Sequence, residues 1–342
     1  MLAVFAIGIA AGLTSAILFI SAASGSLELG SLLLLVVPLP IMLAGLGWGL
    51  TPMAVAAIVG GLSVLTAFRE RVMAGTVPAR LPGGYIQSIR DIPAYEFLLT
   101  QALPAMILAH LAMLARLERP TEGDEARIDW YPLGRIVAVA SVLAGAVASW
   151  RLLSFGTTVE TITANIKALF GRLFTIRVPG MPSQPLSAAD MDALTSKIVA
   201  MLPIGLAVMW LLGMLINLWL AGRITLASGR LLRPWPEFSL IAMPNGFAFA
   251  FVGAILATWL GGLPGFFAVA FAGVIAAAFA MTGLAIVHRK TTGNSWRSFI
   301  LAGTYAFLVI GNVTAVVILA LVALAEPMAP WNRNRLPPAP PA

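Results

Sequence analysis

The chain has 342 residues, 60% of them hydrophobic and only 10% charged, with a mean hydropathy of +0.95. Soluble domains carry about 25% charge, so this composition excludes an ordinary soluble globular protein. There is no cysteine, which rules out disulfides, thiolate metal sites and a cysteine nucleophile. The formal charge of +7 sits in short loops beside apolar runs, where anionic lipid headgroups are the natural partner; no basic face with aromatic readers offers a nucleic-acid site.

Apolar runs near the length of a bilayer crossing recur throughout and predict an all-α polytopic membrane protein of eight to nine spans, with residues 1–326 as one integral membrane domain. The first span, 2–21, lacks a basic leader and an A-x-A site, so it is expected to be a retained helix, not a removed signal peptide. In it Gly8, Gly12 and Ala16 recur every four positions beside Ala6 and Ala10. Such a small-residue stripe admits another helix at close range, from this chain or from a partner. The second and third spans, 31–48 and 52–68, are nearly fused through VVPLPIMLAGLGWGLTP. Pro38 removes the N–H that would bond the Leu34 carbonyl, and Pro40 the one that would bond Val36. Orphaned backbone groups are costly in lipid, so this stretch is expected to face protein or water. It is either a kink healed by neighbouring helices or a broken span at a binding site. Gly45, Gly47 and Gly49 around Trp48 predict a tight turn, with Thr51 and Pro52 opening the next helix.

Residues 69–93 read as an irregular loop on Pro78, Pro82, Gly83 and Gly84. Asp91 and Pro93 then signal the start of the fourth span, 94–116. Glu96 lies one turn into it, Gln101 follows, and His110 comes fourteen positions after Glu96. That is close to four turns, so Glu96 and His110 share a face about 20 Å apart, too far for an acid–base pair. They are interfacial and packing residues, or a polar stripe lining a cavity. After the fifth span, 133–153, residues 154–197 contain TTVETITANIKALFGRLF. Val159, Ile162, Ile166, Leu169 and Leu173 form one apolar stripe on this polar helix, suited to the headgroup plane or to capping the bundle. Ser187 with Asp190 has the form of a helix cap leading into the sixth span, 198–221, which carries Pro203 and Asn217. Spans at 241–260, 263–287 and 298–324 follow, with Asn245 and Asn312 as further polar points. Amides in such places serve as interhelical glue. LAGLGWGLTPMAVAA and LATWLGGLPGFFAVAF share a faint order of Trp, Gly, Leu, Pro and Ala-Val-Ala. The tail, 327–342, holds six prolines and is expected to be disordered.

No Walker loop, zinc-binding histidine pair, nucleophile elbow or paired intramembrane carboxylate occurs, so a non-enzymatic protein without metal or cofactor is expected. With nine spans and the N-terminus inside, the cytoplasmic loops hold ten basic residues, including Arg223, Arg230, Arg233, Arg289, Lys290 and Arg297. The opposite side holds eleven, including Arg69, Arg151, Lys167, Arg333 and Arg335. The density of positive charge in the short loops favours a cytoplasmic N-terminus.

PLPIMLAGLGWGLTPMAVAAIVGGL, GLAIVHRKTTGNSWRSFILAGTYAFL and the closing WNRNR resemble the YybS-like family of bacterial inner-membrane proteins. That family is distantly similar to the S components of ECF-type vitamin transporters and to the cell-shape protein MreD. The resemblance implies an S-component-like helical core with its N-terminus inside, and a small-solute or lipid cavity near the outer leaflet. Such a cavity would be lined by Pro38, Pro40, Trp48, Glu96, Gln101, His110 and Asn217, and energy would come from partner ATPases. The resemblance also implies docking of a membrane partner on Ala6 and Ala10. The alternative is an MreD-like scaffold with no ligand that acts on partners through the Gly8, Gly12 and Ala16 stripe and the basic loops at 223–233 and 288–297.

Overall fold

The computed structural model describes residues 2–24, 27–73, 93–118, 127–175, 187–234 and 236–326. Helices form along the apolar runs because a backbone N–H or C=O in hydrocarbon must be satisfied within its own segment. The first four are α1 (Leu2–Ser24), α2 (Leu27–Val36), α3 (Leu39–Trp48) and α4 (Leu50–Met73). Next come α5 (Pro93–Phe97), a π-helical turn (Leu98–Ala102) and α6 (Leu103–Met113), then the antiparallel strands β1 (Ala115–Glu118) and β2 (Arg127–Trp130). The rest is α7 (Leu133–Leu152), α8 (Val159–Thr175), α9 (Ala188–Ala227), α10 (Phe247–Ala257), α11 (Gly262–Lys290) and α12 (Arg297–Ala325). Eight stretches are long and apolar enough to cross a membrane, and the chain is an all-α multi-pass membrane protein. Its small hairpin has no counterpart among the sequence expectations.

α1 and α4 run side by side in the same direction. A Cβ on Gly8 would lie 2.7 Å from the Pro52 carbonyl oxygen, and one on Gly12 2.5 Å from that of Ala56. Gly8, Gly12 and buried Ala16 are therefore consumed inside the chain, while Ala6 and Ala10 stay exposed. The second span breaks at Val37 and Pro38, both buried. Ser15 Oγ donates to the Val37 carbonyl (2.9 Å), and Asn217 Nδ2 to that of Leu35 (2.6 Å). The turn that follows is made by Gly49 alone (φ 93°, ψ −167°). Gly45 and Gly47 lie within α3, where Gly45 packs against Met53 and Ala109. α4 opens at Leu50, ahead of the expected cap at Thr51.

A second repair occurs in the fourth span. Pro104 removes the N–H that would bond the Thr100 carbonyl; the helix widens into the π turn just before it, and Trp210 Nε1 donates to Thr100 O at 2.8 Å.

α4 continues to Met73, so the expected loop starts later than residue 69; residues 74–92 and the tail 327–342 lie outside the described residues. Ile162 and Ile166 of α8 are fully buried with Leu152 and Val199, and Lys167 pairs with Asp192 at 2.8 Å, so this amphipathic helix caps the bundle. Ser187 Oγ accepts the Asp190 N–H at 3.1 Å and starts α9, a 40-residue helix. The span expected at 241–260 is only half helical: Gly246 (φ 93°) ends an irregular lead-in, and α10 has 11 residues. Gly261 (φ 69°, ψ 172°) then turns the chain into α11 with Pro264 three positions on, as Gly49 does with Pro52 at the opposite end of the bundle.

The ninth expected span is long and apolar enough to cross but is not one straight helix. Asn312 (φ 48°, ψ −125°) breaks α12. Straight, its 29 residues would extend about 43 Å. Yet Arg297 Nη1 donates to the His288 carbonyl at 3.2 Å, while Glu326 pairs with Arg289. Both ends thus meet the same end of α11, and a Cβ on Gly283 would collide with the Leu319 carbonyl. α12 is a helical hairpin whose two ends lie at one face of the bundle. That face, here the hairpin face, also carries the N-terminus of α1, the Gly49 turn, the β1–β2 hairpin and the segment after α9. α8 and Gly261 mark the other.

Candidate functional site

A cavity of about 400 Å³ opens where the two breaks face each other across α9. Pro38 and Leu34 line it from the broken span, Gln101 from the π turn, Arg151 from the end of α7, and Gly205, Met209 and Trp210 from α9. A second hollow of about 670 Å³ adjoins it through Ser31, Leu34, Arg151 and Leu206, and reaches the α8 face beside Ser154 and Phe155. The walls are overwhelmingly apolar because they come from membrane helices. Straight helices would close such a gap; a proline break opposite a π turn keeps it open.

The polar groups concentrate at one end. Arg151 Nη2 lies 3.2 Å from Glu96 Oε1, and Trp150 Nε1 donates to Glu96 Oε2 at 3.0 Å. Both members of the ion pair keep over a quarter of their side-chain surface exposed. The Arg151 Nε is buried and has no hydrogen-bond partner among the described residues. Gln101 is 4% exposed, lines the cavity, and its amide has no hydrogen-bond partner among the described residues. The arrangement offers an amide donor and acceptor, the edge of a guanidinium and an apolar enclosure. It can hold an amphiphile by its polar group.

The structure gathers three of the seven candidate cavity residues here: Pro38, Glu96 and Gln101. His110 is exposed on another side of its helix, because the π turn between it and Glu96 sets the helical phase back by about a quarter turn. Trp48 lies on the hairpin face beneath Arg230, whose guanidinium carbon is 5.0 Å from the ring centroid. Pro40 is only partly buried and lines none of these hollows. Asn217 is spent on the Leu35 and Gly213 carbonyls (2.6 and 2.7 Å) and acts as interhelical glue.

Arg151, Trp150 and Trp210 were not among the candidates. Arg151 carried a usable signal: like Glu96 it sits about a turn inside a span, with opposite charge and at the same face of the membrane. Among the described residues no group of three or more His, Asp or Glu is placed to hold a metal. No protein-family model, curated protein or solved structure matches this chain.

Proposed function

We propose that this protein is a non-enzymatic binding or transport component of a bacterial inner membrane. It holds a small, largely apolar solute or lipid in the cavity beside Gln101 and Arg151, and it has no ATPase of its own. The observation that carries this reading is the Arg151 Nε, buried at the cavity with no hydrogen-bond partner among the described residues. A buried donor without a partner costs about 1–3 kcal/mol, a cost that a bound polar group would offset, and the Gln101 amide opens onto the same cavity. The reading agrees with the resemblance to YybS-like proteins and S components. The scaffold alternative loses its helix stripe, since Gly8 and Gly12 pack on α4 and Ala16 is buried, and keeps only its basic loops. The exposed Ala6 and Ala10 edge remains for a membrane partner, the source of energy if transport occurs.

Orientation belongs to the same proposal. With the chain leaving the membrane at Glu326 on the hairpin face, Arg333 and Arg335 no longer count toward the other side. The tally of basic residues becomes twelve against nine in favour of a cytoplasmic hairpin face, which carries the N-terminus.

The test is to purify the full chain in mild detergent and identify bound small molecules by mass spectrometry. An apolar compound bearing a polar or anionic group, stoichiometric on the natural protein and lost from Gln101→Leu and Arg151→Gln, is the expected result. Recovery of the same compound at equal amounts from both variants would overturn the proposal.

A further inference from the structure

On the hairpin face, sharing no lining residue with that cavity, an apolar hollow of about 650 Å³ lies between α7, α9 and the segment after α9. Ile136, Leu215 and Ile241 form its wall. Its outer edge is Trp219, 54% exposed on a stretch of α9 that presents apolar side chains outward and so faces lipid.

Its polar end is cationic. Arg233 is 6% exposed, and its Nη1 and Nη2 donate to the carbonyls of Ala112 (2.8 Å) and Tyr131 (3.1 Å). Its guanidinium carbon lies 5.8 Å from the Trp130 ring centroid. Of five guanidinium hydrogens these bonds use two. Among the described residues no carboxylate pairs with it, and desolvation lowers its pKa from the usual guanidinium value. Arg223 lines the same hollow, exposed and likewise unpaired among the described residues. Glu237 is the one acid in the lining, and its carboxylate accepts from Ser239 Oγ at 3.1 Å instead of from either arginine. A buried cation without a counter-ion is expensive. Here the surplus charge sits at the end of an apolar slot that opens sideways to lipid at headgroup depth.

We infer that this hollow binds one anionic phospholipid, with its phosphate between Arg233 and Arg223 and an acyl chain along Leu215 and Ile241. A soluble phosphate would meet the same arginines but leave the slot empty, so the charge and the apolar wall together select the lipid. The site is independent of the proposed Gln101 cavity.

The experiment is native mass spectrometry of the full chain in mild detergent with added phosphatidylglycerol, phosphatidylcholine or sn-glycerol 3-phosphate. One phosphatidylglycerol per chain should survive at the highest collision energy. Arg233→Gln would also sever two backbone bonds, so Arg223→Gln is the informative variant. It should weaken phosphatidylglycerol binding about tenfold, the scale of one charge-assisted hydrogen bond, without changing the unfolding midpoint of the lipid-free protein. Equal retention of phosphatidylcholine, glycerol phosphate binding as tightly as the lipid, or no effect of Arg223→Gln would each overturn the inference.

Discussion

Two amides in this bundle have opposite hydrogen-bond status, so replacing each with leucine should separate their effects on stability. Asn217 is 2% exposed and donates to the carbonyls of Leu35 and Gly213. The Gly213 carbonyl lies within α9 and keeps its place in the helical ladder, whereas Leu35 lies at the break of the second span. Asn217→Leu therefore strips one donor from a carbonyl that has no water to turn to. Unsatisfied buried groups cost about 1–3 kcal/mol, and interhelical bonds in membranes reach about 1.7 kcal/mol. A loss of about 1–2 kcal/mol follows from the two ranges. Gln101 is also a buried residue, but its amide opens onto the cavity and has no hydrogen bond to lose among the described residues. Gln101→Leu breaks no protein hydrogen bond among the described residues and makes the cavity wall more apolar, so it should leave the ligand-free protein at least as stable. Both changes keep a side chain of similar size, so packing contributes little to the difference. SDS-driven unfolding of the full chain in mixed micelles, followed by tryptophan fluorescence, measures both. If the two variants lose stability alike, Gln101 has a structural partner and the cavity reading loses its support.

Gly12→Val should prevent α1 and α4 from closing, because even the first added carbon would lie 2.5 Å from the Ala56 carbonyl oxygen; loss of folded protein on size exclusion is expected, while Ala10→Val, on the exposed side, should be silent. Trp210→Phe keeps the ring but removes the donor to Thr100 O, and should cost about 1 kcal/mol in the same SDS titration. Because the chain has no cysteine, single cysteines report topology directly. Thr292→Cys and Ala325→Cys should be labelled from one side of the membrane and Thr157→Cys from the other; labelling of residues 292 and 325 from opposite sides would mean that α12 crosses.

What the sequence disclosed were local signals with local consequences. Pro38 and Pro40 marked the broken span, Ser187 and Asp190 marked the start of α9, and the apolar stripe of α8 marked a helix with one buried face. The misses have two sources. Some breaks carry little local signature: Asn312 follows Gly311 in an otherwise apolar run, and asparagine is among the few residues that tolerate a positive φ. The π turn shows only as Pro104, and it alone moves His110 off the Glu96 face. Other misses are pairings between distant parts of the chain. Asn217 meets Leu35 across 182 positions, and Trp150 meets Glu96 across 54. Nothing near either residue announces its partner.

The repairs also explain why one cavity, and not merely a loose bundle, results from so many poor helix formers. Lipid gives apolar helices no hydrophobic reason to associate, so packing and interhelical hydrogen bonds must hold them in register. Each break supplies an acceptor that a neighbouring helix can reach: Leu35 for Asn217, Val37 for Ser15, Thr100 for Trp210. These bonds tie α1, α9 and the two broken spans together, yet the breaks themselves keep those helices from touching along their whole length. Gly205 and Gly213 of α9 widen the gap that remains. Once the polar groups committed to repair are set aside, the amide of Gln101 and the Nε of Arg151 are left at the cavity without a partner among the described residues. Simple healing of a kinked helix has no use for either group. A ligand with a polar end does.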